Sequence, residues 1–495
     1  MRATRLALPA LAALSACTVG PQHPSTTVSL SPPVPSAVIA PVAGPAQQIV
    51  PGATVQPDWW TRFGSAKLDA LVARALAANN DLANAEAALR QTREQANAAT
   101  GAGLPQVDAS YQAQRVRVSR TFSNPLNDPN QYLYTLHTAQ LSVSYPLDLF
   151  GGQRNKVRSA RAAAEVSADR LIAARTTVVA NLVNAVILQA SLDAQIDAAK
   201  AAIRSNREIL GLLQQRQALG DIGLADVAAQ QTALATAEST LPSLERQQDH
   251  QRGLIATLTG AAPGSVPTSL PTLAELTLPG TLPVALPDAI VANRPDVRAA
   301  EAAMVGAGAD VGTAIAARLP NIQLSATLGG EATNIANMFA SGNPFWTLLG
   351  GATQPLFHGG QLLHQKRAAE AALEGAKAQY RAAVLQAFLD VSDALSGLET
   401  DADALDAAAR AGTAADRNLG FVRRQLELGA VGTLALLNAE ASDAQASSAL
   451  VQAKAGRLTD TVALFQAVGG GVAPRYAAHR RPDRSPGGME TASIM

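Results

Sequence analysis

Between Gly151-Gly152-Gln153 and Leu219-Gly220-Asp221-Ile222-Gly223 the chain runs without a proline, and apolar residues recur at helical spacing. Leu171, Val178, Ala185, Leu192 and Ala199 form one line, and Leu182, Ile196, Ile203 and Leu210 form another. Two apolar lines require two packed sides, which places such a helix inside a wall of helices. At about 1.5 Å per residue the helix is roughly 100 Å long, several times the width of an ordinary domain core. The same pattern returns between Gly359-Gly360-Gln361 and Leu428-Gly429-Ala430-Val431-Gly432.

The recurrence extends beyond the long helices. Asp81 and Asp296 lie 215 residues apart, as do Pro105 and Pro320, whereas Gly152 and Gly360 are 208 apart and Gly220 and Gly429 are 209 apart. The spacing therefore shrinks between landmarks that flank a pair of strands, which predicts a shorter loop in the second pair. Internal duplication of a helix, a β-hairpin, a long helix and a return helix follows.

Taken in order, residues 1–16 read as a signal peptide: Arg2 and Arg5, an apolar run from Leu6 to Leu14, then Ser15 and Ala16. Leu14-Ser15-Ala16-Cys17 is similar to a bacterial lipobox, in which the cysteine carries a covalent lipid; the alternative is an ordinary secretory signal with a chance cysteine. Residues 17–57 then form a lipid-anchored, Pro/Ser/Val-rich flexible tether. The first repeat spans 58–260, with a hairpin at about 106–149. A Pro-rich linker spans 261–287, the second repeat 288–469 with a hairpin at about 321–357, and 470–495 a disordered tail. Trp59 and Trp60 are expected to anchor a helix rather than stack on a ligand. A break with an N-cap is expected at Asn79-Asn80-Asp81, with a helix from Leu82 to about Thr100. Pro242 is expected to kink the return helix or mark a junction in it.

The hairpin segments alternate. Val107, Ala109, Tyr111 and Ala113 face away from Asp108, Ser110, Gln112 and Gln114, and Ala139, Leu141, Val143 and Tyr145 face away from Thr138, Gln140, Ser142 and Ser144. Ile322, Leu324, Ala326 and Leu328, then Trp346, Leu348 and Ala352, continue the pattern. A four-stranded sheet with open edges is not viable in a bilayer, because its edge groups stay unpaired. Four strands are also too few to enclose a lumen, so several copies must share one barrel; three copies would give twelve strands. The alternative is a soluble sheet packed on helices.

Trp59-Trp60-x-x-Phe63, Asn80-Asp81-Leu82, Arg294-Pro295-Asp296-Val297-Arg298-Ala299-Ala300-Glu301, Leu319-Pro320 and Gly359-Gly360-Gln361 resemble the TolC-type outer-membrane efflux proteins. Cys17-Thr18-Val19-Gly20-Pro21 resembles their lipoprotein branch, the NodT/OprM-like factors that serve resistance-nodulation-division pumps. The resemblance covers about residues 17–468. It implies a mainly α fold with a membrane β-barrel: a homotrimer forming a 12-stranded outer-membrane β-barrel continued by a periplasmic α-helical barrel. It also implies a periplasmic adaptor (membrane-fusion) protein and an inner-membrane resistance-nodulation-division pump as partners, outer-membrane lipid around the barrel, and small molecules as the exported cargo.

No catalytic residue is needed for such a conduit, only a polar lumen, a rigid wall and a gate. The turns carrying Gly220, Gly223, Gly429 and Gly432 are expected to form the adaptor-facing periplasmic tip, with glycine permitting the reversals. By the resemblance, the return helix just beyond the second turn narrows the pore with acidic residues. Here Ala435 and Asn438 stand where relatives often have aspartate. Asp221, Asp226, Leu436 and Asn438 are the entrance or gate candidates, and solvated turn charges are the plainer reading of the two aspartates.

Other classes fit less well. Charged residues are 16% of the 495 and the net charge is zero, without the basic footprint of a nucleic-acid binder. Gly306-x-Gly308-x-x-x-Gly312 lacks a preceding strand and reads as helix packing rather than a dinucleotide loop. His137, His250, His358 and His364 have no ligand spacing, so neither metal nor cofactor is expected beyond the lipid on Cys17. Two rivals remain open: a tunnel for protein secretion, and a periplasmic lipoprotein scaffold or enzyme without a pore.

Overall fold

The computed structural model describes residues 19–21, 38–53, 55–119, 132–265, 269–284 and 291–471. The expected signal peptide, Cys17 and most of the expected tail lie outside these residues. Two short strands, β1 (Val38–Ile39) and β2 (Gln47–Pro51), precede helices α1 (Ala66–Ala78) and α2 (Asn80–Gly101). Then come β3 (Gln106–Arg117), β4 (Leu133–Leu147), α3 (Gly152–Ala218), α4 (Leu224–Leu258) and β5 (Thr281–Val284). The second round is α5 (Pro295–Ala316), β6 (Asn321–Ala332), β7 (Pro344–Thr353), α6 (Gln361–Glu427) and α7 (Thr433–Ala467). Both long helices have 67 residues and both return helices 35, so the duplication holds element by element.

Compactness does not follow the repeat boundary. One unit comprises Met1–Val28, Ala85–Arg170 and Arg298–Ala383; the other comprises Ser29–Asn84, Leu171–Val297 and Val384–Met495. Each unit draws on both repeats, because each repeat supplies its β-hairpin and flanking helix ends to the first unit and the rest of its long helix with its return helix to the second.

The first unit contains a four-stranded antiparallel sheet in the order β3-β4-β6-β7. β4 runs on through Pro146, which pairs with Gln323, to Leu147. Beneath the sheet, Met304 and Val311 of α5 pack with Leu373 of α6. The glycines of the 306–312 run allow this close packing on α3: a side chain at Gly306 would press on Ala162, and one at Gly312 on Asn155. Arg298 pairs with the buried Asp169 of α3 at 2.8 Å.

In the second unit α3 is buried through a continuous stretch that includes Val179, Leu182, Val183, Val186, Ile187 and Ala190. This stretch makes α3 apolar and long enough to cross a membrane by composition, and its burial against neighbouring helices accounts for that apolarity. Of the expected lines, Val178, Ala185, Leu192, Leu182, Ile196 and Ile203 are buried, while Leu171, Ala199 and Leu210 are half-buried. Trp59 is 1% exposed and stacks on Phe465 with centroids 5.2 Å apart, which is the anchoring role expected of it.

Asn79 forms the break after α1. Its Oδ1 accepts from the N–H groups of Asp81 and Leu82, and its Nδ2 donates to the Leu258 carbonyl at 3.0 Å. The helix it caps starts at Asn80, two residues before the expected Leu82. Pro242 lies within α4, which continues to Leu258, so it marks no junction.

The expected tether and linker contain structure that the sequence did not reveal. β2 pairs with β5 in parallel, Gln48 opposite Thr281, and β1 pairs with β2. Gln47 is fully buried: its Nε2 donates to Pro279 O and Thr461 Oγ1, and its Oε1 accepts from Arg457. The turn after β1 is fastened to α6, where Asp406 accepts the N–H groups of Val42 and Ala43 at 2.9 and 2.7 Å. These backbone donors hold the Asp406 carboxyl below its usual range.

Candidate functional site: an apolar sheet face and two helix tips

The registers place every expected apolar strand residue on one face of the sheet. Val107 lies opposite Val143, Ala109 opposite Leu141, Leu141 opposite Leu328, Val143 opposite Ala326, and Leu328 opposite Trp346. Directly paired residues share a face. Leu328, Trp346 and Leu348 are 60, 75 and 71% exposed, far beyond what a water-facing sheet shows over a continuous patch. The polar atom of His137 on this face is satisfied inside it, since Nδ1 lies 2.8 Å from Tyr111 Oη. The other face carries Asp108, Ser110, Gln112, Gln140, Ser142, Gln323 and Thr327. Among the described residues, strands β3 and β7 are each paired on one side only, which leaves two open edges.

Each long helix ends in a matched turn in the second unit. Gly220 and Gly429 have φ of +83° and +71°, a conformation that L side chains rarely adopt. Beyond them Asp221 N–H donates to Arg216 O and Ala430 N–H to Gln425 O, the six-to-one bond of a Schellman cap. Gly223 and Gly432 play a different part from the one expected. They sit at the N-caps of α4 and α7 in extended backbone, so no left-handed freedom is required of them. Leu219, Leu224, Leu428 and Leu434 surround the turns and are 69–79% exposed.

The four gate candidates separate in the structure. Asp221 is exposed at the first tip, 3.9 Å from Arg216, and Asp226 is half-buried in the first turn of α4. Asn438 is exposed on α7. Leu436 is 2% exposed and packs with Leu419, Leu426 and Ala439. It therefore belongs to the helix packing and has no surface with which to line a pore, which corrects the sequence expectation. Its position on the helix face was decided by neighbours that the local pattern does not name.

Sequence reasoning missed the groups that join the two hairpins just above the tips. Arg423 of α6 donates to Ser205 Oγ of α3 at 2.8 Å, Ser205 Oγ donates to Glu440 Oε1 of α7 at 3.0 Å, and Arg423 and Glu440 are 3.4 Å apart. Gln230 of α4, fully buried, donates to Asn206 Oδ1 of α3 at 2.9 Å. Acidic character is present on α7 as Glu440 and Asp443, beyond the positions that read Ala435 and Asn438. Burial and the charge of Asp416 raise the Asp443 carboxyl.

Farther along α6 and α7, two aspartates meet. Asp401 is pushed up to about 6, first by burial and then by the charge of Asp460, whose own carboxyl burial also raises. Space for them comes from two glycines: a side chain at Gly397 would strike Asp460, and one at Gly456 would lie 3.1 Å from Asp401. The Arg-Pro-Asp-Val-Arg run is likewise structural. Arg294 binds Asp296 through two bonds of 3.0 and 2.7 Å, Asp390 at 2.7 Å, and the Ala467 carbonyl at 2.9 Å. Burial works to raise the Asp296 carboxyl, and Arg294 outweighs it and holds the group low. No group of His, Cys, Asp and Glu side chains with metal-binding geometry occurs among the described residues.

The outer membrane efflux protein family matches residues 71–261 and 286–470. The chain is 31% identical over 448 residues to the pyoverdine export outer membrane protein OpmQ of Pseudomonas putida, covering 89% of this chain and 94% of that protein. It is 26% identical over 417 residues to the toluene efflux pump outer membrane protein TtgF of Pseudomonas putida, covering 84% of this chain and 85% of that one. Among solved structures, the outer-membrane channel OprN superposes with a TM-score of 0.83 at 25% identity, covering 92% of this chain and 99% of that one. The chain therefore belongs to the outer membrane efflux protein family and is an outer-membrane channel of an efflux system, extending into the periplasm and working with pump partners.

Proposed function

We propose that three copies complete the channel, β3 of each pairing with β7 of the next to close a twelve-stranded barrel. The observation that carries this reading is the sheet itself, with a continuous exposed apolar patch on one face, a mainly polar opposite face and two open edges. Hydrocarbon satisfies such a face, and only closure satisfies such edges. The polar face then lines the lumen, and the long helices continue it as a passive conduit for small molecules. Energy comes from an inner-membrane pump of the resistance-nodulation-division type through a periplasmic adaptor, docked at the exposed leucines of the tips. Asp221, Asp226 and Asn438 stand at the entrance, and the Ser205–Arg423–Glu440 contact holds the hairpins at one spacing.

Cysteine substitutions test the closure. A cysteine at Ser110 on β3, combined in turn with cysteines along β7, is expected to yield disulfide-linked dimers and trimers at one register. Absence of intermolecular bonds at every register sinks the proposal. In the same reading Cys17 carries the lipid anchor, so palmitate labelling is expected in the wild type and absent from Cys17→Ser; equal labelling of both contradicts it.

A further inference from the structure

Where β4 runs into α3, the first unit holds a cleft of about 770 Å³. Its walls are of two kinds. Tyr145 and Leu147 at the end of β4 are apolar, while α3 contributes Arg154, Arg158 and Arg161 together with Val157. Tyr145 and Leu147 lie opposite Leu324 and Ile322 and so belong to the apolar face of the sheet. The cleft is thus continuous with the surface that meets hydrocarbon.

The charges here are not arranged for helix stability. From Leu149 to Ala164 the chain has four basic residues, Arg154, Lys156, Arg158 and Arg161, and no acidic one. Cations in the first turns oppose the helix dipole, which favours carboxylates at that end. Asp148 meets part of this need: its carboxylate accepts the N–H groups of Gln153 and Arg154 and pairs with the Arg154 side chain at 3.3 Å. Glu165 also borders the cleft. Lys156 and Arg161 are exposed and make no ion pair with any described residue. The second repeat has the same bias, with Lys366 and Arg367 near the start of α6 and no acidic residue from Gln354 to Ala369.

We infer that this cleft binds a phospholipid with an anionic headgroup from the periplasmic leaflet. An acyl chain lies against Tyr145 and Leu147, and the phosphate sits at Arg161, on the helix face that also carries Arg154 and Arg158. Basic residues at the rim of a membrane-spanning segment attract anionic lipid, and the attraction fades within a Debye length. A tyrosine at the junction suits the interface, with its ring in apolar surroundings and its hydroxyl among headgroups. The inference rests on the reading that the apolar sheet face meets lipid.

The test uses the full-length channel in nanodiscs of equimolar phosphatidylglycerol and phosphatidylcholine, released and weighed by native mass spectrometry. The wild type is expected to retain phosphatidylglycerol about fivefold over phosphatidylcholine. Arg161→Gln is expected to retain the two equally, and Arg161→Lys to restore the preference. Equal retention by the wild type, no retained lipid because another copy fills the cleft, or a preference unchanged in the glutamine variant overturns the inference. Failure of the wild type to enter the nanodisc at all would instead overturn the reading of the sheet as membrane-spanning.

Discussion

Replacing Asp401 with asparagine should stabilise the protein at neutral pH and leave it unchanged in acid. The carboxyl is moved from 3.8 to about 6 by burial and by Asp460. At full strength that corresponds to about 3 kcal/mol of preference for the protonated form. Asp401 is only half-buried, and solvent screening on its open side reduces the figure to about 1.5 kcal/mol. Because the folded value lies above the unfolded one, the contribution is fully present below 3.8. It is lost as pH rises through about 6. Above this window Asp401 is ionised beside the Asp460 carboxyl in the space between Gly397 and Gly456, which is a cost of folding. Asparagine keeps an N–H donor for Asp460 and removes the titration. Guanidinium unfolding followed by far-ultraviolet circular dichroism, in detergent across the window, reads the effect. The expected result is a variant more stable than wild type above the window and equal to it below. A difference between the two proteins that is constant across the window refutes the reasoning.

Three further substitutions separate structural from functional roles. Gly429→Ala forces a side chain into φ +71° and is expected to cost about 1–2 kcal/mol, whereas Gly432→Ala, in extended backbone, is expected to be nearly silent in the same melting experiment. Leu436→Ala removes a side chain that is 2% exposed, so a loss of about 2–4 kcal/mol of stability is expected; a change in single-channel conductance without loss of stability would return Leu436 to the pore. Arg294→Lys keeps the charge but loses the two-bond grip on Asp296, with an expected cost of about 1–3 kcal/mol by thermal unfolding; an unchanged melting temperature contradicts the scaffold role given to this motif.

What could be read from the sequence was what repeats or alternates locally. The long helices announce themselves through Val178, Ala185 and Leu192, because helical periodicity is written in one segment. The strand faces do so through Leu141, Val143 and Leu328, because alternation needs no knowledge of the partner strand. The small sheet was hidden for the opposite reason. β1, β2 and β5 are two, five and four residues long, too short to alternate visibly, and Gln48 finds its partner Thr281 only through the folded chain. The Asp401–Asp460 meeting and the Ser205–Arg423–Glu440 tie are equally non-local. The gate expectation went astray at Leu436 because a leucine one helical turn past a glycine cap has the same local context whether it faces a neighbour or a lumen. Only the positions of Leu419 and Leu426 decide which.

In the proposed channel each chain completes the pore by joining its own open sheet edges to those of other copies. Light scattering on the complex extracted from outer-membrane fractions, with the detergent contribution subtracted, measures that most directly. A protein mass of about three chains is the predicted result. A single chain in the outer-membrane fraction, with β3 and β7 unpaired, would contradict it.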